Sequence, residues 1–206
     1  MFEQTTSKKT KTVLAKIAKS ELAKEFYLAG GTALAIQLGH RQSIDLDWFS
    51  AKDFSGIKLK KLLSELGNFE LMAEDKGTLH GVLDGVKVSF LSYNYKLLFP
   101  TVDFNNVKLA DERDISAMKI DAVSSRGSKK DFIDIYFLLE KYSLIELIGF
   151  FEKKFINIKF NKLHILKSLV FFEDAETEPM PIMIKQASWR KMKKKVAGET
   201  NKLVIS

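Results

Sequence analysis

Asp45 and Asp47 are separated by one residue, and thirteen residues separate them from an upstream Gly-Gly pair, Gly30-Gly31. On a strand, residues i and i+2 share a face. Two carboxylates on one rigid face suit a hard divalent cation such as Mg²⁺. That ion takes one or two carboxylates and completes its shell with water and phosphate oxygens. The glycine pair supplies the other half of a phosphate site. It opens a helix-like segment, Thr32–Leu38, where glycine lets backbone approach a ligand and first-turn N–H groups point at it. Each residue also has a plainer role. The aspartates could be edge-strand charges, the glycines only a strand-to-helix turn, and Arg41 either a partner for a surface acid or a contact to phosphate or base.

The elements around these residues follow from periodicity. Val13, Leu14, Ile17, Ala18 and Leu22 give a helical period over 10–25. Residues 26–29 read as a short buried strand, Thr32–Leu38 as a helix stopped by Gly39, and Ile44–Phe49 as a second strand. Ile44, Trp48 and Phe49 should set the two aspartates in a well-buried region. Ile57–Leu66 is an amphipathic helix ending at Gly67, and Phe69–Ala73 begins a third strand. Asp84-Gly85 predicts a tight hairpin between Thr78–Leu83 and Val86–Leu91. Its register sets Leu83 against Val86, Gly81 against Val88 and Leu79 against Phe90 on an apolar face. Val82–Lys87 and His80–Ser89 fall on the half-exposed face.

After Pro100 the pattern becomes helical. Glu112–Arg126 ends at Gly127, Lys129–Tyr142 is capped by Ser128, Leu144–Phe155 by Ser143, and Asn161 caps a helix running through Phe172. Glu173–Pro181 reads as an acidic loop and Ile184–Val196 as a basic terminal helix. The expected class is α/β (α+β). A small mixed sheet lies in a core domain over 1–108, and 109–206 form a helical domain completing the cleft.

A chain of 206 residues can bury a real core in one large or two small domains. The absence of Cys excludes disulfides, a thiolate nucleophile and thiolate metal sites. His40, His80 and His164 lack ligand spacing, and no Ser–His–Asp order suggests a hydrolase. The N-terminus lacks the apolar core of a signal peptide, and no apolar run approaches the ~20 residues needed to span a bilayer. The expectation is a cytoplasmic protein without a membrane partner. Net charge is +7, with 15 Lys/Arg against 14 Asp/Glu over 1–112 and 18 against 12 over 113–206. The basic excess suits a polyanion such as RNA across the C-terminal half, or is a solvated surface. Lys191, Lys193, Lys194 and Lys195, beside Trp189 and Arg190, carry the same two readings.

Three blocks stand in order: Leu28-Ala29-Gly30-Gly31-Thr32-Ala33-Leu34, Arg41-Gln42-Ser43-Ile44-Asp45-Leu46-Asp47, and Ala117-Met118-Lys119-Ile120-Asp121-Ala122 running on to Arg126–Tyr136. Together they resemble the nucleotidyltransferase superfamily with a DNA polymerase β-like core, with the glycine-to-aspartate spacing at the upper end of its range. More narrowly, the chain resembles the AbiEii/AbiGii-type nucleotidyltransferase toxins of abortive-infection and toxin–antitoxin systems.

The resemblance implies transfer of a nucleotidyl group from an NTP to an acceptor hydroxyl, with RNA, specifically tRNA, as the expected acceptor and a cognate antitoxin as a partner. It implies one or two Mg²⁺ ions at Asp45 and Asp47. Gly30, Gly31 and Thr32 would hold phosphate, with Arg41, Ser43, Ser89 and Arg126 also toward the nucleotide. Lys119 would contact phosphate, and Asp131 would act as a base or orient Lys119. Asp131 has a local alternative as the N3 residue of a capping box with Ser128, and Arg126 and Asp134 could form a structural ion pair. Catalytic members usually carry a third carboxylate on a later strand, where this chain has Ser89. Alternatives are therefore a protein-nucleotidylating enzyme, or a nucleotide-binding pseudoenzyme.

Overall fold

A computed structural model describes residues 1–205. The chain divides into two compact units, Met1–Asp111 and the remainder from Glu112.

The first unit opens with α1 (Lys8–Ala18) and α2 (Leu22–Glu25), so the expected single helix over 10–25 is two. Ser20 makes the break: its hydroxyl donates to the Ile17 carbonyl and accepts the Leu22 amide. Then follow β1 (Tyr27–Ala29), α3 (Gly30–Leu38), β2 (Leu46–Ser50), α4 (Gly56–Leu66), β3 (Phe69–Asp75), β4 (Thr78–Leu83) and β5 (Val86–Ser92). Two further strands, β6 (Val102–Phe104) and β7 (Val107–Leu109), lie where only helices were expected. Their turn residues Asn105 and Asn106 both have positive φ, 49° and 64°, as a two-residue hairpin of the primed type requires.

The seven strands form one mixed sheet in the order β3-β4-β5-β2-β1-β7-β6, with β2/β5 and β1/β7 parallel. The β4–β5 register is the one the Asp84-Gly85 turn dictates, with Leu83 opposite Val86, Gly81 opposite Val88, and His80 opposite Ser89. The turn is tied down by Lys16, whose Nζ lies 2.6 Å from Asp84 Oδ2. Leu28, Leu46, Trp48, Leu79, Leu83, Val88 and Phe90 form the core on one side of the sheet, and Trp48 stacks on Phe90 at 6.2 Å. Helix α3 is apolar nearly all round and correspondingly central, with Ala33, Leu34, Ala35 and Ile36 fully buried. Gly39, at φ +66°, closes it with its amide on the Ala35 carbonyl.

The second unit is helical: α5 (Glu112–Ser125), α6 (Lys129–Leu138), α7 (Leu144–Lys154), α8 (Lys162–Ser168), α9 (Glu173–Glu176) and α10 (Trp189–Ile205). The expected caps are in place: Ser128 accepts the Asp131 amide, Ser143 and Glu146 form a full capping box, and Asn161 accepts from Leu163 and His164. Boundaries move by a turn or more elsewhere. Helix α6 stops at Leu138 and α8 at Ser168, both short of expectation. The acidic segment holds the short α9. Helix α10 starts at Trp189, after Ser188 accepts the Lys191 amide, rather than at Ile184. Met192, Val196 and Thr200 are its buried stripe. Lys154 and Asp114, both fully buried, pair at 2.8 Å between α7 and α5. Among the described residues no helix is long and apolar enough to cross a membrane.

Candidate functional site

Strand β1 runs directly into Gly30, whose φ of +66° is the left-handed conformation that glycine adopts without strain. Helix α3 begins there, and its N-cap, Ala29, contributes no side-chain hydrogen bond. The first-turn amides therefore lack the usual Ser/Asp cap.

Both glycines are also required by close neighbours. A Cβ on Gly30 would stand 2.7 Å from Asp47 Oδ2, and one on Gly31 would stand 2.6 Å from Arg41 Nη2 and 3.3 Å from Ser43 Oγ. The turn is thus walled by a carboxylate on one side and by a guanidinium and a hydroxyl on the other. Arg41 is 2 % exposed, and its Nη1 donates to the Gln42 carbonyl at 3.1 Å. The Thr32 hydroxyl donates to the Asp45 carbonyl and lies 2.9 Å from Ser43 Oγ. The first turn of α3 therefore pins the segment that carries Asp45.

Asp47 lies on β2, but Asp45 falls just ahead of it, since the strand starts at Leu46 rather than Ile44. The neighbourhood is also more open than expected. Trp48 and Phe49 are buried, whereas Ile44 is 56 % exposed and both aspartates are half-buried. Among the described residues no three His, Asp or Glu side chains gather closely enough to form a metal cage. Two carboxylates with room for water and phosphate nevertheless fit Mg²⁺, which rarely uses an all-protein cage.

The sheet register adds a row that extends from this site. Ala29 pairs with Asp47, Asp47 with Ser89, and Ser89 with His80. Ser89 is therefore the cross-strand neighbour of Asp47, and its Oγ lies 3.0 Å from His80 Nδ1. The sequence gives His80 no metal-ligand spacing and no role in the site. The hairpin register that set it opposite Ser89 was the signal for this bond.

In the helical unit, Lys119, Asp131 and Asp134 form a buried cluster. Lys119 Nζ stands 2.8 Å from Asp131 Oδ1 and 2.7 Å from Asp134 Oδ2. Lys119 is 6 % exposed, so it is not a solvated surface lysine. Arg126 Nε donates to Asp131 Oδ2 at 3.0 Å, and Ser128 Oγ donates to the same oxygen at 2.7 Å. Ser128 still caps α6, but the Asp131 carboxylate faces these donors across the α5–α6 turn at Gly127. Burial would raise the Asp131 pKa. The charges and hydrogen bonds of Lys119 and Arg126 more than offset that and hold it below the ordinary value. The terminal basic helix spends part of its charge internally: Lys193 pairs with Glu176, which also accepts from Trp189 Nε1, and Lys195 pairs with Glu199.

A mixed sheet with a glycine turn, the Asp47 carboxylate beside it and a separate helical unit defines a nucleotidyltransferase fold. Two crystal structures share it: a protein of H. pylori assigned as a nucleotidyltransferase (TM-score 0.58, 13% identity, covering 94% of this chain and 90% of that one), and JHP933 from Helicobacter pylori (0.52, 14%, 94% and 88%). The family model described as "Nucleotidyl transferase AbiEii toxin, Type IV TA system" matches residues 12–97 and 86–203. The chain belongs to the AbiEii nucleotidyl transferase toxin family. A relative in Aquifex aeolicus (strain VF5), the uncharacterised protein aq_aa25, is 41% identical over 177 residues, covering 83% of this chain and 85% of its own length.

Proposed function

We propose that the protein transfers a nucleotidyl group from an NTP to an RNA hydroxyl, with tRNA as the first acceptor to test, as the toxin of a toxin–antitoxin pair. One observation carries the site assignment. The uncapped Gly30-Gly31 turn lies against the Asp47 carboxylate and the Arg41 guanidinium.

In this reading the amides of Gly30, Gly31 and Thr32 donate to phosphate oxygens, with Arg41 offsetting phosphate charge and Ser43 holding Thr32 in register. Asp45 and Asp47 would hold Mg²⁺, which when bound polarises the triphosphate. The acceptor hydroxyl oxygen forms a bond to the α-phosphorus, the bond from that phosphorus to the pyrophosphate oxygen breaks, and pyrophosphate leaves. The hydroxyl proton passes to a base or to solvent. Asp131 is a poor candidate for that base, because its pKa is held low and its oxygens already accept three donors. It serves better as a positioning residue, fixing Lys119 for an anionic ligand together with Arg126.

Calorimetry of NTP binding with and without Mg²⁺ tests the site. Asp45→Ala and Asp47→Ala should each abolish the Mg²⁺-dependent part while retaining the cooperative melt. Unchanged affinity in both variants overturns the assignment. Mass analysis of tRNA and of protein after incubation with each NTP then separates RNA transfer from protein nucleotidylation.

A second reading rests on Ser89, the hydroxyl beside Asp47 where a third carboxylate is expected. A hydroxyl is a weak Mg²⁺ ligand and a poor base at neutral pH. Mg²⁺-dependent NTP binding without transfer to any acceptor would identify a nucleotide-binding protein rather than an enzyme.

A further inference from the structure

A cavity of about 700 Å³ opens in the α/β unit near the far end of β2 from the aspartate pair. Ser50 lines it, three residues along β2 from Asp47, roughly 10 Å at the rise of a strand. Its volume lies in the range of small-molecule and nucleotide sites. Lys24, Lys52, Lys96 and Lys108 line it, all exposed, and they come from four separate segments of the chain. The two acids on its wall are already engaged: Glu25 pairs with Lys58, and Asp53 accepts from the Ser92 hydroxyl at 2.8 Å.

The lining is also aromatic. Phe26 and Tyr27 are buried, Phe54 and Tyr95 half-buried, and Phe26 packs edge-on to Phe54 at 5.4 Å. This unit carries 15 Lys/Arg against 13 Asp/Glu, nearly balanced, so four lysines around one ring-lined cavity is a local concentration of charge. Ammonium groups around the half-buried Phe54 and Tyr95 rings match a phosphodiester backbone carrying a base to be stacked. An acidic peptide would satisfy the lysines but leave the rings without a planar partner.

We propose that this cavity is a second RNA contact, taking one base of a single strand on the Tyr95 and Phe54 rings and its flanking phosphates on Lys24, Lys52 and Lys108. That RNA is the ligand rests on the transferase reading above. The contact itself is measurable without the reaction.

The test is fluorescence anisotropy of a labelled short single-stranded oligoribonucleotide, in EDTA and without NTP. The paired substitution Lys52→Glu and Lys108→Glu should weaken binding tenfold or more and make the log K against log salt slope shallower by about 1.4, at roughly 0.7 per lost phosphate contact. Tyr95→Ala should weaken binding about tenfold with the slope unchanged. If the double charge reversal lowers the melting temperature, Lys24→Gln with Lys52→Gln gives the same slope readout with less repulsion.

Unchanged affinity and slope in the lysine variants overturns the proposal. So does displacement by polyglutamate as effective as by RNA. Failure here leaves Mg²⁺-dependent NTP binding intact, and absence of transfer activity leaves this binding intact, so the two readings fail separately.

Discussion

Asp45 and Asp47 in the α/β unit are half-buried beside a glycine turn, whereas Asp131 and Asp134 in the helical unit are 1 % and 0 % exposed and lie against Lys119. Arg126 and Ser128 add two more donors to Asp131. In the helical unit the chain supplies the counter-charges itself, so much of the electrostatic stabilisation there is internal. In the α/β unit the Asp47 carboxylate approaches the Gly30 backbone closely, and the helix start has no side-chain cap. The same residue type is thus buried and paired in one unit and half-buried in the other, and the proposed site assignment rests on that difference.

The largest expected effect tests the closed cluster. Lys119→Met removes the cation that pairs with both buried carboxylates, Asp131 and Asp134. Breaking a buried pair from one side costs about 3–5 kcal/mol, which urea denaturation will read as a large fall in midpoint. Asp45→Ala, in the open site, should change stability by less than about 0.5 kcal/mol, because it removes a solvated carboxylate near a like charge. Similar costs for the two variants would erase the contrast.

Next in size is Gly30→Ala. The φ of +66° and the 2.7 Å approach of Asp47 Oδ2 together cost about 1–3 kcal/mol. The shift it forces on Asp47 should weaken Mg²⁺-dependent NTP binding more than it weakens the fold. A variant that loses stability but keeps its NTP affinity would make the glycine a folding device only.

A smaller effect comes from pH. The native pKa of Asp131 is held below the ordinary value, so the unfolded chain takes up this proton more readily. The resulting stability is present above the unfolded pKa of about 3.9. It is lost as the pH falls through that value toward the lower native one. Melting temperature between neutral pH and pH ~3 should fall less steeply in Asp131→Asn than in the wild type. A parallel decline would show that acid sensitivity resides elsewhere.

The unevenness of what could be read from the sequence has the same physical origin. The hairpin at Asp84-Gly85 was legible to the residue because a primed two-residue turn fixes register and the alternation of Leu79, Leu83, Val86, Val88 and Phe90 agrees with it. The glycine pair and the start of α3 were legible because punctuation by glycine is local. The β6–β7 hairpin was missed because three-residue strands carry no measurable period, although Asn105-Asn106 was a usable turn signal. The closeness of Arg41 to Gly31, and the meeting of Lys119 with Asp134, depend on chain segments converging in space, which spacing along the sequence does not specify.

Ser89→Asp is the smallest expected perturbation to the fold, and it probes the open site at its one departure from the superfamily pattern. The new carboxylate would stand directly across from Asp47 in the parallel β2–β5 register, and like charges so placed cost roughly 0.2–1 kcal/mol. His80, now 3.0 Å from the Ser89 oxygen, can donate to the added carboxylate and offset part of that. If the site lacks a third anionic ligand, the variant should steepen the Mg²⁺ dependence and raise any transfer rate, while melting within a few degrees of the wild type. His80→Ala in the same background should reduce that gain, since the added carboxylate loses its neighbouring donor. If instead the wild type already transfers quickly and Ser89→Asp slows it, Ser89 is not a lost carboxylate. The hydroxyl then belongs to the nucleotide contact, and the proton acceptor lies outside the Asp47–Ser89–His80 row.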